Sequence, residues 1–368
     1  MDLSSLMDPA QLADPAWVDL VRGQAALAEQ QRQLTPAQLS FIREQEWFRL
    51  LIPSSIGGKE YPLPSLLEIL ETASWMDGSF GWVMALCGGA GFFAGFVEEP
   101  LARALFGNAD VCAAGTGFPA GTATEVPGGY RVSGHWRYAS GAPHATLYTA
   151  NCRIVSEGRG AVDGESPIRA MIFLPDQVSL VDGWGSLGLR ATASQDMVVE
   201  NAFVPLSRSF TLDKPFPHAT GPLFRYPFLQ QAEAVLSVTL LGMARHFMDL
   251  FAQNRLPRFT GKAAEAVQGS FAESLAELTK ARMGLYRAVV VSWDCYVKGQ
   301  DASPALLTAV GTAAAQAAAT ALRVSDRLYP LGGMEMMQVH TEINRVWRDI
   351  HTASQHTLLS PVHLFLPA

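Results

Sequence analysis

Residues 110 to about 205 are rich in Gly, Thr, Val and Tyr, arranged as short alternating runs between two blocks of helical character. That interruption limits the architecture more than any other feature. Period-two patterning does not settle into helices, so the chain must hold a small barrel or sandwich between two helical units. Tyr130–Tyr138 sits behind Pro127-Gly128-Gly129, which predicts a hairpin turn feeding a strand. Leu147–Ile154, Ile168–Leu174 and Met197–Val204 read as further strands.

In the block before it, Ala37–Leu51 repeats apolar residues at spacings of three and four after Thr35-Pro36, an N-cap and first-turn pair. Ile52–Gly58 then breaks the helix, Pro64–Trp75 resumes it, and Asp77-Gly78-Ser79 reads as a turn and cap. Phe80–Val97 follows, 18 residues without a charge, at the lower edge of what spans a membrane. Its five glycines and the lack of basic flanks favour a buried helix instead. In the block after it, Gln230–Gln253, Lys262–Lys298 and Pro304–Tyr329 are long, periodic and low in glycine, as in a four-helix bundle. The last is alanine-dense, which allows close helix approach.

The chain's 34 acids against 27 bases give a net charge of −7. No clustered Lys and Arg point to nucleic acid or an anionic membrane. Four scattered cysteines without a CxxC pair read as free thiols in a reducing compartment. The acidic, proline-bearing N-terminus lacks the layout of a signal peptide. The expected location is the cytoplasm, without membrane or nucleic-acid partners.

Four segments in order resemble the acyl-CoA dehydrogenase superfamily. They are Gly128–Gly134 with Trp136–Gly141, Leu187–Asp196 with Val204-Pro205, Leu331-Gly332-Gly333, and Arg345–Asp349; Asp77–Trp82 adds support. The resemblance implies an α+β fold: an N-terminal helical domain (1–108), a middle β-barrel domain (109–213) and a C-terminal four-helix bundle domain (214–368). It also implies a flavin, FMN or FAD, and a homotetramer or homodimer packed through the bundle.

The last segment separates branches of that superfamily. Its dehydrogenases place a catalytic glutamate about nine residues past the arginine-aspartate pair. Here that stretch ends at Thr357, which cannot serve as the base for α-proton abstraction. Ala353-Ser354-Gln355-His356 is instead similar to the reduced-flavin-dependent monooxygenases of two-component systems. In those, a separate flavin reductase supplies reduced flavin, and a flavin hydroperoxide oxygenates a small, largely apolar substrate.

On this resemblance His356 and Ser140 are the expected catalytic pair. A histidine titrating at about 6.5 exchanges a proton at neutral pH, and a hydroxyl can donate toward the flavin N5 region. Without the resemblance, each residue reads equally as a satisfied polar group. His351 and His363 are decoys; on a continuous helix His351 lies about 140° around the axis from His356.

The resemblance further marks Tyr138, Ser140, Gly141, Thr116, Phe118, Arg190, Ser194, Arg258 and Phe259 as flavin-contacting positions. Of Trp136 and Tyr138, only one is expected to face the ligand. Arg190 and Ser194 are expected at flavin phosphate or ribitol. The loop at Gly115–Pro119 departs from the dehydrogenase pattern, and Arg258-Phe259 stands one residue off the spacing to Gln268, which leaves both FMN and FAD open. Two rivals remain: an acyl-CoA dehydrogenase with Glu233 as displaced base, and an inactive helical scaffold.

Overall fold

The computed structural model describes residues 6–156 and 166–359. The first helical segment comprises α1 (Pro9–Leu12), α2 (Pro15–Gln31), α3 (Pro36–Glu44), α4 (Leu63–Met76), α5 (Gly78–Val83) and α6 (Glu99–Phe106). Thr35 starts α3 with a capping box on Gln38. The helix ends at Glu44, short of the Leu51 its periodicity predicts. Glu46 turns left-handed (φ 55°), and Trp47–Arg49 form one 3-10 turn with all three residues buried. The apolar spacing continues because the following segment is buried on every side.

Asp77 starts α5, its Oδ1 accepting the Phe80 N–H at 3.0 Å. The apolar run beyond it is not one regular helix. It passes from α5 into a π turn at Met84–Gly88 and a 3-10 stretch at Ala90–Phe96. The glycines let neighbours approach closely: a Cβ on Gly95 would sit 2.5 Å from the Phe224 ring.

Strands β1 (Ala113–Val126), β2 (Gly129–Ala139), β3 (Leu147–Val155), β4 (Ile168–Phe173), β5 (Ser179–Val181), β6 (Gln195–Pro205) and β7 (Ser209–Phe210) form one mixed sheet in the order β5-β6-β2-β1-β3-β4-β7. β1 and β2 make the expected hairpin around Gly128 (φ 81°), while β1 and β3 pair in parallel. Trp136, Phe173, Met197 and Val204 lie in the sheet's own apolar core.

The second helical segment holds α7 (Pro222–Arg225), α8 (Phe228–Asn254), α9 (Gly261–Val297), α10 (Pro304–Leu328) and α11 (Glu342–Ala353). Leu66, Leu67 and Leu70 of α4 share one core with Leu240, Met243 and Phe247 of α8, so the two helical segments bury a common interior. Between α10 and α11, Gly333 takes φ 68° and ψ −158°, where the sequence predicts a break.

Among the described residues, three helical stretches are long and apolar enough to cross a membrane. Gly78–Phe96 and Phe228–Arg258 are 83% and 89% buried within the molecule, whereas Pro304–Met337, which contains the alanine-dense α10, is only 33% buried.

Candidate functional site

Four chain segments meet at one indole. Trp82 projects from α5, and its Nε1–H donates to Ser140 Oγ at 3.1 Å. Ser140 Oγ also lies 2.8 Å from Ser194 Oγ, which is 2.7 Å from Thr192 Oγ1. The His356 ring meets the Trp82 ring edge-on, 5.9 Å between centroids. The expected catalytic pair, 216 positions apart in sequence, therefore shares Trp82 as its common neighbour.

The local fold explains how Ser140 reaches this place. A regular strand puts residues two apart on the same face, so Trp136 and Tyr138 would point together. A register shift between Trp136 and Ala139, with Tyr138 at φ 67°, separates them instead. Trp136 enters the sheet core and Tyr138 stands half-exposed. Its ring carries the Arg137 guanidinium at 4.6 Å and meets Trp184 at 5.8 Å. Gly141 then turns left-handed (φ 73°), its N–H donating to Thr192 O at 2.7 Å. A Cβ at Gly141 would lie 2.4 Å from Cys87 Sγ, so only glycine fits.

The turn that brings Thr192 and Ser194 to Ser140 holds two left-handed non-glycine residues, Leu189 (φ 50°) and Ala193 (φ 46°). Such conformations persist only where surroundings fix them. The arginine-aspartate pair of α11 supplies that hold. Leu189 N–H donates to Asp349 Oδ1 at 2.5 Å, and Arg348 donates to Leu187 O at 2.9 Å. Arg348 also donates to Glu29 Oε1 at 2.6 Å and Asn344 Oδ1 at 2.8 Å, joining α2, the turn and α11.

The Asp349 carboxyl is pushed up to about 8 by burial and, next, by the charge of Asp77. The folded protein keeps this proton through neutral pH, while the unfolded chain gives it up near pH ~4. The associated stability is complete below about pH 4 and is lost as pH rises toward about 8. His356 acts oppositely, and only between its folded value of about 4 and its unfolded value of ~6.5. From about pH 6.5 to 8 Asp349 is thus the titrating member of the two. Denaturant titrations across that window should show stability falling with pH, with a shallower fall in Asp349→Asn. Equal slopes would show that Asp349 is ionised.

His356 differs from its expected chemistry. Burial lowers it to about 4, so the imidazole is neutral at pH 7 rather than roughly one-quarter protonated. Its Nδ1 accepts the Leu358 N–H at 3.3 Å, which leaves the ring proton on Nε2. His356 is therefore a hydrogen-bond donor through Nε2. α11 ends at Ala353, so the helical angle between His351 and His356 does not apply. The two are separated by their partners: His351 bonds Asp326 at 2.8 Å and packs 4.1 Å from Trp347. His363 lies outside the described residues.

The other sequence candidates divide. Gly141 and Ser194 belong to the Ser140 cluster, and Tyr138 borders it. The Ser194 hydroxyl is buried and engaged by Ser140 and Thr192. Arg190 is exposed one residue past Leu189. Thr116 and Phe118 lie on β1, with Phe118 exposed and its N–H on Thr116 Oγ1 at 3.4 Å. Arg258 pairs with Glu335 at 3.0 Å and Phe259 packs against the helical core, so neither joins the Ser140 cluster within this chain. Glu233 stands against Gly311 of α10, where an added Cβ would come 3.0 Å from its Oε2.

Sequence reading missed Thr192 and the central place of Trp82. Both fall inside quoted motifs, but only the folded turn shows what they touch. A cavity of about 620 Å³ lies along Lys214–Arg225 and shares no residue with this cluster.

Among known proteins, residues 234–361 match the family model "Acyl-CoA dehydrogenase, C-terminal domain". The chain is similar to an indole-3-acetate monooxygenase of Pseudomonas putida, 29% identical across 94% of this chain and 90% of that protein. It is also similar to the flavin-dependent monooxygenase oxygenase subunit HsaA of Rhodococcus jostii, 24% identical over 95% and 94% of the two chains. Among solved structures, the 3-HSA hydroxylase from Rhodococcus sp. RHA1 superposes with a TM-score of 0.88 at 24% identity, covering 95% of this chain and 93% of that one. XiaF from Streptomyces sp., in complex with FADH2 and glycerol, superposes with a TM-score of 0.85 at 23% identity over 95% and 90%.

Proposed function

We propose, for a chain of acyl-CoA dehydrogenase-like fold that is similar to flavin-dependent monooxygenases, that it is the oxygenase component of a two-component monooxygenase using reduced FMN or FAD and O2. The observation that carries this reading is the convergence of Ser140 and a neutral His356 on Trp82, with no carboxylate in hydrogen-bond contact with any of the three among the described residues. Proton abstraction from a thioester needs a positioned base, and none stands here.

The residues present fit a flavin. Ser140 retains a lone pair beyond its Trp82 and Ser194 bonds, Tyr138 offers an exposed aromatic ring beside the partly buried Trp184, and Arg190 supplies an exposed cation. When bound, reduced flavin supplies the two electrons by which one oxygen atom enters the substrate and the other leaves as water. Trp82 and the buried hydroxyls around Ser140 would help to keep bulk water from a flavin bound there. His356 would offer its Nε2–H as a donor to the bound substrate, and Ser140 would help to hold the flavin.

The relatives' names, indole-3-acetate monooxygenase and resorcinol hydroxylase among them, favour a small aromatic substrate. A separate flavin reductase would supply the cofactor. The reading includes an N-terminal helical domain, a middle β-barrel and a C-terminal bundle divided near residues 108 and 213, and a cytoplasmic location. It includes assembly as a homotetramer or homodimer, for which the poorly buried α10 stretch is the candidate surface.

Anaerobic titration with both flavins in both redox states, followed by admission of O2 with an aromatic panel, tests the reading. Saturable binding of reduced flavin and oxygen-dependent hydroxylation are expected. Absence of flavin binding, or anaerobic bleaching of oxidised flavin by an acyl-CoA, would overturn it.

A further inference from the structure

We propose that Thr192 and Ser194 are positioning residues that fix the Ser140 hydroxyl as a hydrogen-bond acceptor toward the flavin, so that the site selects the reduced cofactor. The inference rests on the flavin reading above and adds to it the polarity of one bond.

The direction of the relay follows from counting protons. Thr192 Oγ1 lies 2.8 Å from Leu189 O. Two oxygens at that distance need a proton between them, and a carbonyl has none to give. The Thr192 hydroxyl proton is therefore spent on Leu189. The contact between Thr192 and Ser194 at 2.7 Å must then use the Ser194 proton. The contact between Ser194 and Ser140 at 2.8 Å must in turn use the Ser140 proton. Trp82 Nε1 can only donate, and it donates to Ser140. All three hydroxyls are buried, so in the free protein each proton needs an acceptor inside the molecule, and this ordering provides every one. Leu189 O anchors the far end, since it also receives Trp184 Nε1 at 2.8 Å. What Ser140 offers a ligand is a lone pair.

Reduced flavin carries an N–H at N5, a donor matched to that lone pair. Oxidised flavin presents a bare N5, an acceptor that meets an acceptor. Mismatch of this kind leaves both atoms unpaired and penalises the oxidised form. The expectation that Ser140 donates toward N5 is thereby reversed.

Ser194→Ala frees the Ser140 proton to turn outward. Thr192→Val removes the acceptor of Ser194, so Ser194 can donate to Ser140 and release the same proton. Thr192→Ser keeps the relay. The measurement is the ratio of dissociation constants for oxidised and reduced flavin, by anaerobic titration of the full chain, with a thermal melt to verify folding. The parent should bind reduced flavin more tightly. Ser194→Ala and Thr192→Val should each lower the ratio about tenfold, a shift of about 30 mV in the bound two-electron potential, while Thr192→Ser restores the parent value. Should Ser194→Ala fail to fold, the Thr192 pair decides alone. If the parent binds neither form, the flavin reading falls and this inference with it. If the parent binds flavin and the ratio stays unchanged in the folded variants, the relay is wrong and the flavin reading stands.

Discussion

His356→Asn should cut hydroxylated product by roughly 10²- to 10⁴-fold, the usual cost of losing a proton-donating group at the reacting centre. Hydrogen peroxide release should rise in the same assay, because oxygen is still consumed when transfer fails. The side chain has one backbone bond, at Nδ1, and a ring contact with Trp82, and asparagine can keep the first. Reduced-flavin affinity and melting temperature should therefore stay near the parent values. His351→Asn should leave product yield unchanged, since its partners are Asp326 and Trp347, not Trp82 or Ser140. A His356→Asn protein with normal coupling, or one that loses its fold, would show that the imidazole serves packing alone.

Arg348→Met should destabilise the protein by about 3–5 kcal/mol, the range for breaking a buried ion pair from one side. The guanidinium bonds Glu29, Leu187 O and Asn344 from a buried position, and methionine replaces none of these. The Glu29 carboxylate is left behind, with its side chain only 18% exposed. Glu29→Gln in the Arg348→Met background should recover part of the loss by removing that stranded charge. Urea unfolding of the parent, both singles and the double gives the coupling. A loss under about 1 kcal/mol in Arg348→Met would place the pair among solvated surface bridges.

Much of the fold was legible because it follows period and punctuation. Thr35, Asp77 and Gly128 mark starts and turns through local chemistry, and each acts in the structure as its residue type predicts. The continuation of α3 past Glu44 misled because Trp47–Leu51 is buried throughout, so its apolar residues keep recurring after the helix has ended. At the site, resemblance located Ser140 and His356, which the structure brings to one indole. It did not reveal that His356 is neutral, since burial is a property of packing. Nor did it reveal the direction of the hydroxyl relay, which depends on one carbonyl, Leu189 O, turned inward by a left-handed residue.

The bond between Leu189 and Asp349 joins residues 160 positions apart. At roughly 5–20 residues per second of synthesis, on the order of ten seconds separate the emergence of the turn from that of its anchor. Throughout that interval the strained Leu189–Ala193 turn has no α11 to hold it. The hydroxyl relay at Ser140 can therefore take its final order only after α11 has emerged and docked.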